Sequence, residues 1–257
     1  MRVFDFGLNW ESFSEKRLEP QRIADAVRSL QSLLQRDDLQ GMSFLDVGCG
    51  SGLFSIAAHR LRAARIVGID VNPRCVAVSR RNMGRFAPQA AILFQEVSAL
   101  DREPLAALGT FDVVYAWGSL HHTGAMWNAI LNTAQQVAPG GTLALAIYNK
   151  HMTSPAWKGI KRLYNRAPGA AQYLMAIFFA AVIYAAKLFV TGRNPLNKER
   201  GMDFWHDVID WIGGYPYEYA THDEIEAFMK ANGFMLRRYV PAQTPIGCNE
   251  FVFERTA

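Results

Sequence analysis

Asp46 closes a short apolar run and is followed by glycine at every second position: Gly48, Gly50 and Gly52, with Cys49 and Ser51 between them. Glycine lets main chain turn sharply and lie against a ligand with no Cβ in the way. A helix starting at Leu53 would add free N–H groups and the positive end of its dipole. Eighteen residues beyond Gly52, a second β-rich run over 65–70 ends in another acid, Asp70. A carboxylate at that strand tip can accept hydrogen bonds from both hydroxyls of a ribose, as in other nucleoside-binding sheets. A dinucleotide turn needs G-x-G-x-x-G. Here the third glycine comes one residue early and position 53 is leucine, so the pattern is not the dinucleotide one.

A second set of residues suits proton transfer and the binding of an acceptor. His121 and His122 follow the run 111–116 and fall at the carboxyl edge of a sheet, where ligands bind. Either imidazole can take a proton from an O–H or S–H group; the competing role is helix capping for one and packing for the other. His206 beside Asp207 is a further candidate, although neighbours on a helix point to different faces and Asp207 would not orient it. Residues 210–219 are aromatic, Gly-rich and acidic, and Trp211, Tyr215 and Tyr217 offer rigid contact area with a polar tip.

Strands and helices must alternate to bring these groups together. The pattern predicts strands near 43–47, 65–69, 90–95, 111–116 and 141–148, and helices near 53–62, 73–83, 102–108 and 125–137, the last broken by Pro139-Gly140-Gly141. Such alternation gives a parallel sheet covered on both faces. Before it, 1–19 reads as an aromatic and polar segment and Pro20 opens a helix with the stripe Ile23, Val27, Leu30 and Leu34. After it, Thr221 caps an amphipathic helix over 222–232, and 234–240 and 250–254 read as a closing hairpin.

The 257 residues are half hydrophobic, with a formal charge of +4. That balance does not call for nucleic acid. Three scattered cysteines fit a reducing cytosol rather than a disulfide framework or zinc site. Residues 1–10 lack an apolar core, so no secretory leader is expected.

D-x-G-x-G-x-G over 46–52, with Asp70 at its distance, resembles the first motifs of class I S-adenosylmethionine-dependent methyltransferases. The segment 115–122, ending Leu-His-His, resembles the branch that holds ubiquinone- and menaquinone-type small-molecule enzymes, and Pro139-Gly140-Gly141 matches the turn into the family's fifth strand. The resemblance spans 40–148 and 221–257. It implies a doubly wound, mostly parallel seven-stranded α/β sheet with a closing antiparallel hairpin. It implies S-adenosyl-L-methionine as cofactor, with Asp46 and the backbone of Gly48, Cys49, Gly50 and Gly52 at its methionine end, and Asp70 and Val71 at its ribose. Ser98 and Ala99 border its adenine and Trp117 its sulfonium, with Trp10 and Phe13 as a lid. Many members carry an acid where Ser98 stands, so that adenine contact is weakened. Catechol-type members carry acids where Gly118 and His121 stand, and no metal is expected here.

The division that follows is 1–40 as a lid segment and helix, 41–148 with 221–257 as the core, and 149–220 as a helical insertion. Residues 155–166 are amphipathic and 170–190 almost wholly apolar. From 149 to 200 nine basic residues face one acid, Glu199, a net of +8, leaving −4 on the remainder. A bilayer span, a helical pair lying on a membrane surface over 155–190, and a lid packed on the core or on a second copy all fit. The expected function is methylation, first of oxygen, of a small hydrophobic or amphipathic acceptor by a cytoplasmic enzyme. The alternatives are a lipid or quinone methyltransferase peripheral on the inner membrane face, and a non-catalytic S-adenosylmethionine-binding protein. A homodimer stays open, and a nucleic-acid substrate is disfavoured because no N-P-P-aromatic motif follows the fourth strand.

Overall fold

A computed structural model describes residues 4–192, 194–196 and 202–256. Seven strands form one sheet: β1 (Ser43–Val47), β2 (Arg65–Asp70), β3 (Ile92–Glu96), β4 (Phe111–Trp117), β5 (Val137–Tyr148), β6 (Phe234–Val240) and β7 (Cys248–Arg255). Their order is β3-β2-β1-β4-β5-β7-β6. The first five run parallel and β7 lies antiparallel between β5 and β6. Phe44, Leu45 and Val47 of β1 are all buried, as a central strand covered on both faces requires. Strand order reverses between β1 and β4, and ligands of such sheets bind outside that switch point.

Helices α1 (Phe6–Lys16), α2 (Pro20–Leu34), α3 (Leu53–Arg60), α4 (Pro73–Phe86), α5 (Arg102–Ala107), α6 (Met126–Ala134) and α10 (His222–Ala231) surround the sheet. Asn72 caps α4, and Thr221 with Glu224 forms a reciprocal capping box on α10. The alternation read from sequence therefore has the right order. Two local readings differ. Residues 6–16 are helical because Asp5 accepts from the N–H groups of Gly7 and Leu8, an N-cap that the aromatic composition of the segment masks. Pro139-Gly140-Gly141 lies inside β5, not at a helix end: α6 stops at Ala134, and the strand starts at Val137 with an irregular register against Phe111 and Val113.

Among the described residues the insertion holds three helices: α7 (Ser154–Arg166), α8 (Gly169–Thr191) and α9 (Phe204–Gly213). It leaves and rejoins the core at one place. Ala220 donates its N–H to Tyr148 (3.1 Å) and accepts from Lys150 (3.0 Å), and Asn149 bridges Ala220 in parallel fashion. Asn9 of α1 ties α9 down through the His206 carbonyl (2.9 Å) and the Asp210 carboxylate (2.6 Å).

Candidate active site

The glycine turn lies where β1 meets α3. Gly48 and Cys49 both donate N–H to the Ile69 carbonyl (2.8 and 2.9 Å), and Gly52 donates to Cys49 (2.8 Å). Gly50 donates to the Asp70 carboxylate (3.0 Å). These N–H groups hold the turn itself, so what it presents to a ligand is bare Cα surface. Gly48 has φ +75°, and a Cβ there would lie 2.3 Å from that of Ser119. Gly50 has φ +56°, and a Cβ would lie 2.6 Å from the Trp10 indole. Only glycine allows both the turn and this close approach.

Two carboxylates face the cleft beside the turn. Asp70 accepts through one oxygen from Gly50 and through the other from Asn72 (2.9 Å). Burial pushes its pKa up, against the pull of those two bonds. Asp46 accepts from the Ser55 hydroxyl (2.7 Å). Burial pushes its pKa up to about 7, with Ser55 opposing and the Asp70 charge adding. A raised folded-state pKa means that stability present below pH 3.8 is lost as pH rises toward 7, by about 4 kcal/mol at most. Asp46→Asn keeps the Ser55 bond and removes the buried charge. It should melt higher than the parent at pH 8 and equally at pH 4; equal melting at both would remove the buried carboxylate as the cause.

The cleft has a volume of about 1790 Å³. A small-ligand pocket of roughly 300–1,000 Å³ would fill only part of it. Val71, two-thirds exposed, Ser98 and Ala99 line the end beside Asp70. The Ser98 hydroxyl accepts from the Leu100 N–H (3.1 Å). Trp10 and Trp117 line the cleft too, whereas Phe13 is fully buried in the core and is no part of a lid.

Phe6, His122, Tyr148, Trp157 and Trp211 also line the cleft and form one cluster of touching rings. His122 Nδ1 is 2.7 Å from the Pro216 carbonyl. A carbonyl only accepts, so Nδ1 carries the proton and Nε2 keeps its lone pair. Burial lowers the His122 pKa to about 3, the Lys161 charge adds to this, and the Pro216 bond opposes it. The imidazole is neutral at any ordinary pH.

Other sequence candidates stand elsewhere. His121 has no exposed surface, does not line the cleft, and packs its ring 3.9 Å from that of Tyr148. Its pKa is driven far down by burial. His206 is buried behind α1: its Nδ1 is 2.5 Å from Asp203, the cap of α9, and its Nε2 3.1 Å from the Ser12 hydroxyl. The carboxylate that orients it is therefore Asp203, one turn back, not Asp207. Of the three aromatics, Trp211 reaches the cleft. Tyr217 is fully buried, and Tyr215 is buried with its hydroxyl accepting from Arg162 (3.1 Å). The tyrosines support the site without lining it.

Sequence reasoning missed Tyr148 and Lys161. Tyr148 ends β5 at the sheet's ligand edge, which is the signal that could have found it. Lys161 has no exposed surface; its ammonium donates to the Trp211 carbonyl and sits 4.6, 4.8 and 5.6 Å from the rings of Trp211, Tyr217 and Tyr148. Burial lowers its pKa to about 7.

A family profile described as "Methyltransferase domain" matches residues 18–237. The chain belongs to that methyltransferase family. Ribosomal protein L11 methyltransferase of Xanthomonas campestris pv. campestris is 36% identical over 127 residues, 49% of this chain and 38% of the relative. Ubiquinone biosynthesis O-methyltransferase of the same organism is 35% identical over 132 residues, 51% of this chain and 53% of the relative. The matched stretches thus span about half, or less, of those relatives' lengths. Among solved structures, magnesium protoporphyrin IX methyltransferase from Synechocystis PCC 6803, with bound S-adenosylhomocysteine, has the same fold, with a TM-score of 0.59 at 16% identity over 92% of this chain and 84% of that one.

The methyltransferase family uses S-adenosylmethionine, and the residues here suit it. The turn is a cradle that a Cβ would fill, and the two carboxylates supply acceptors for vicinal hydroxyls and for an ammonium. Among the described residues, no group of three or more His, Cys, Asp or Glu could hold a metal ion.

Proposed function

We propose that the chain methylates an oxygen of a small, amphipathic acceptor bound against His122, Tyr148 and Trp211. The observation that carries this reading is the His122 ring: its tautomer is set by Pro216, and it lines the aromatic end of the same cleft that holds Asp70 and the glycine turn. The similarity to a relative named for O-methylation supports the choice of oxygen.

Asp70 would hold the ribose hydroxyls, Asp46 the ammonium of the amino-acid tail, and Val71, Ser98 and Ala99 the base. Trp10 and Trp117 present aromatic faces between the two ends, where a cation is favoured by about 0.5–2 kcal/mol. Bound S-adenosylmethionine supplies a methyl group on a positively charged sulfur. The surrounding apolar walls align the acceptor and exclude water, which can supply several kcal/mol of the barrier. With a pKa of about 3, His122 does not strip a resting hydroxyl of its proton. Nε2 accepts a hydrogen bond from that hydroxyl and takes its proton late, as bond formation at the oxygen makes the O–H far more acidic.

The test is labelled methyl transfer with phenols, aliphatic alcohols, carboxylic acids, thiols and amines in parallel, followed by locating the label. Methyl ethers of an amphipathic hydroxyl acceptor are the expected products. Label on nitrogen or sulfur alone would overturn the choice of oxygen. Tight binding of S-adenosylmethionine with no transfer to any class would favour the non-catalytic alternative.

A further inference from the structure

Helix α8 is 23 residues long, and over 169–190 its only charged residue is Lys187. One stripe of it is held. Gln172 donates to the Tyr164 carbonyl (3.0 Å), Ala176 is buried, Phe179 packs with Trp157, Tyr184 meets Phe204 and Lys187 pairs with Asp207 (3.3 Å). These contacts lie on α7 and α9, and α9 is fastened to α1 through Asn9. These contacts hold α8 alongside α7 and α9, and a bilayer crossing would have to break them. The reading of a lid that hides its apolar surface on the core is removed, because the opposite stripe is bare. Leu174 is 66%, Phe178 62% and Phe189 93% exposed, and Tyr173, Ile177 and Leu188 continue the same side. Contiguous apolar surface of this extent marks an interaction face.

Charge says what the face meets. From residue 113 to residue 198 the sequence contains no Asp or Glu. Arg162 and Arg166 stand exposed on α7 beside exposed Leu163, at the end from which α8 begins. A second copy of the chain would bring its own basic residues to this surface. A leaflet of anionic lipid offers hydrocarbon to the bare stripe and negative head groups to its rim. The same helix also walls the cleft, through Val182, Ile183, Ala186 and Val190.

We propose that α8 and the exposed edge of α7 dock the protein flat on an anionic membrane, with the helix lying in the interface and the cleft mouth beside it. The inference rests on the free stripe and the missing acids, not on which atom is methylated.

Flotation of the full chain with vesicles tests it, using equal parts phosphatidylglycerol and phosphatidylcholine against phosphatidylcholine alone. The protein should rise with the anionic vesicles, less so at high salt, and should be released from them by alkaline carbonate. The triple variant Leu174→Ser, Phe178→Ser, Phe189→Ser should lose at least tenfold in vesicle binding. Arg166→Glu should lose binding to the anionic vesicles selectively. Both should still bind S-adenosylhomocysteine by calorimetry, which shows the core intact whether or not an acceptor is known. Three results would overturn the proposal: no flotation with either vesicle, resistance to carbonate, or a soluble dimer that the triple variant turns into monomer.

Discussion

Replacing Asp70 by alanine should lower affinity for S-adenosylhomocysteine at least a hundredfold. The carboxylate sits at the end of β2 with each oxygen already accepting one main-chain N–H, and each has a further lone pair for a ribose hydroxyl. Hydrogen bonds to a charged group contribute about 1.5–3 kcal/mol each. Losing two removes about 3–6 kcal/mol, or at least two decades in affinity. The variant also frees the Gly50 and Asn72 N–H groups, so the turn loosens and the melting temperature falls by several degrees. Asp70→Asn keeps one acceptor oxygen and should fall between parent and alanine. Calorimetry together with a melting curve separates the two effects. Affinity within threefold of the parent, in a protein that melts normally, would remove Asp70 from the ribose site.

The second large effect concerns turnover. His122→Ala should cut kcat about a hundredfold, the usual scale for a lost proton acceptor, and leave S-adenosylhomocysteine affinity unchanged. His122→Gln fills most of the space but offers no basic nitrogen, and should show the same loss. The pH profile carries a further signature. Since burial holds the His122 pKa near 3, its base form persists through the whole working range. The rate of the parent therefore should not fall between pH 7 and 5 on account of this ring. A loss of kcat in the alanine variant fully restored by glutamine would reduce His122 to a space-filling role.

The glycine turn and its two carboxylates were legible because their placement is local. Asp46, the three glycines and Asp70 lie on one strand-turn-helix-strand unit, so spacing along the chain translates directly into spacing in space. The aromatic cluster proposed to hold the acceptor is assembled from five distant places. Phe6 comes from α1, His122 from the loop after β4, Tyr148 from the end of β5, Trp157 from α7 and Trp211 from α9. No periodicity links them. The choice between His121 and His122 was equally invisible, because adjacent residues in a short 3-10 turn diverge, one under Tyr148 and one toward Pro216. Tyr215 and Tyr217 misled for a related reason: an aromatic loop reads alike whether its rings face the cleft or back it. Lys161 is the hardest case. A lysine on an amphipathic helix reads as a solvated charge, and only three rings from separate segments make it a buried one.

The junction at Tyr148, Lys150 and Ala220 has an evolutionary consequence. Because the chain departs and comes back through neighbouring hydrogen bonds on one edge, the seventy-odd residues between are a cassette. Crossovers at those two points could exchange α7, α8 and α9 together and leave the strands and the glycine turn untouched. A segment joined to the sheet in this way can be replaced as a unit without moving any strand.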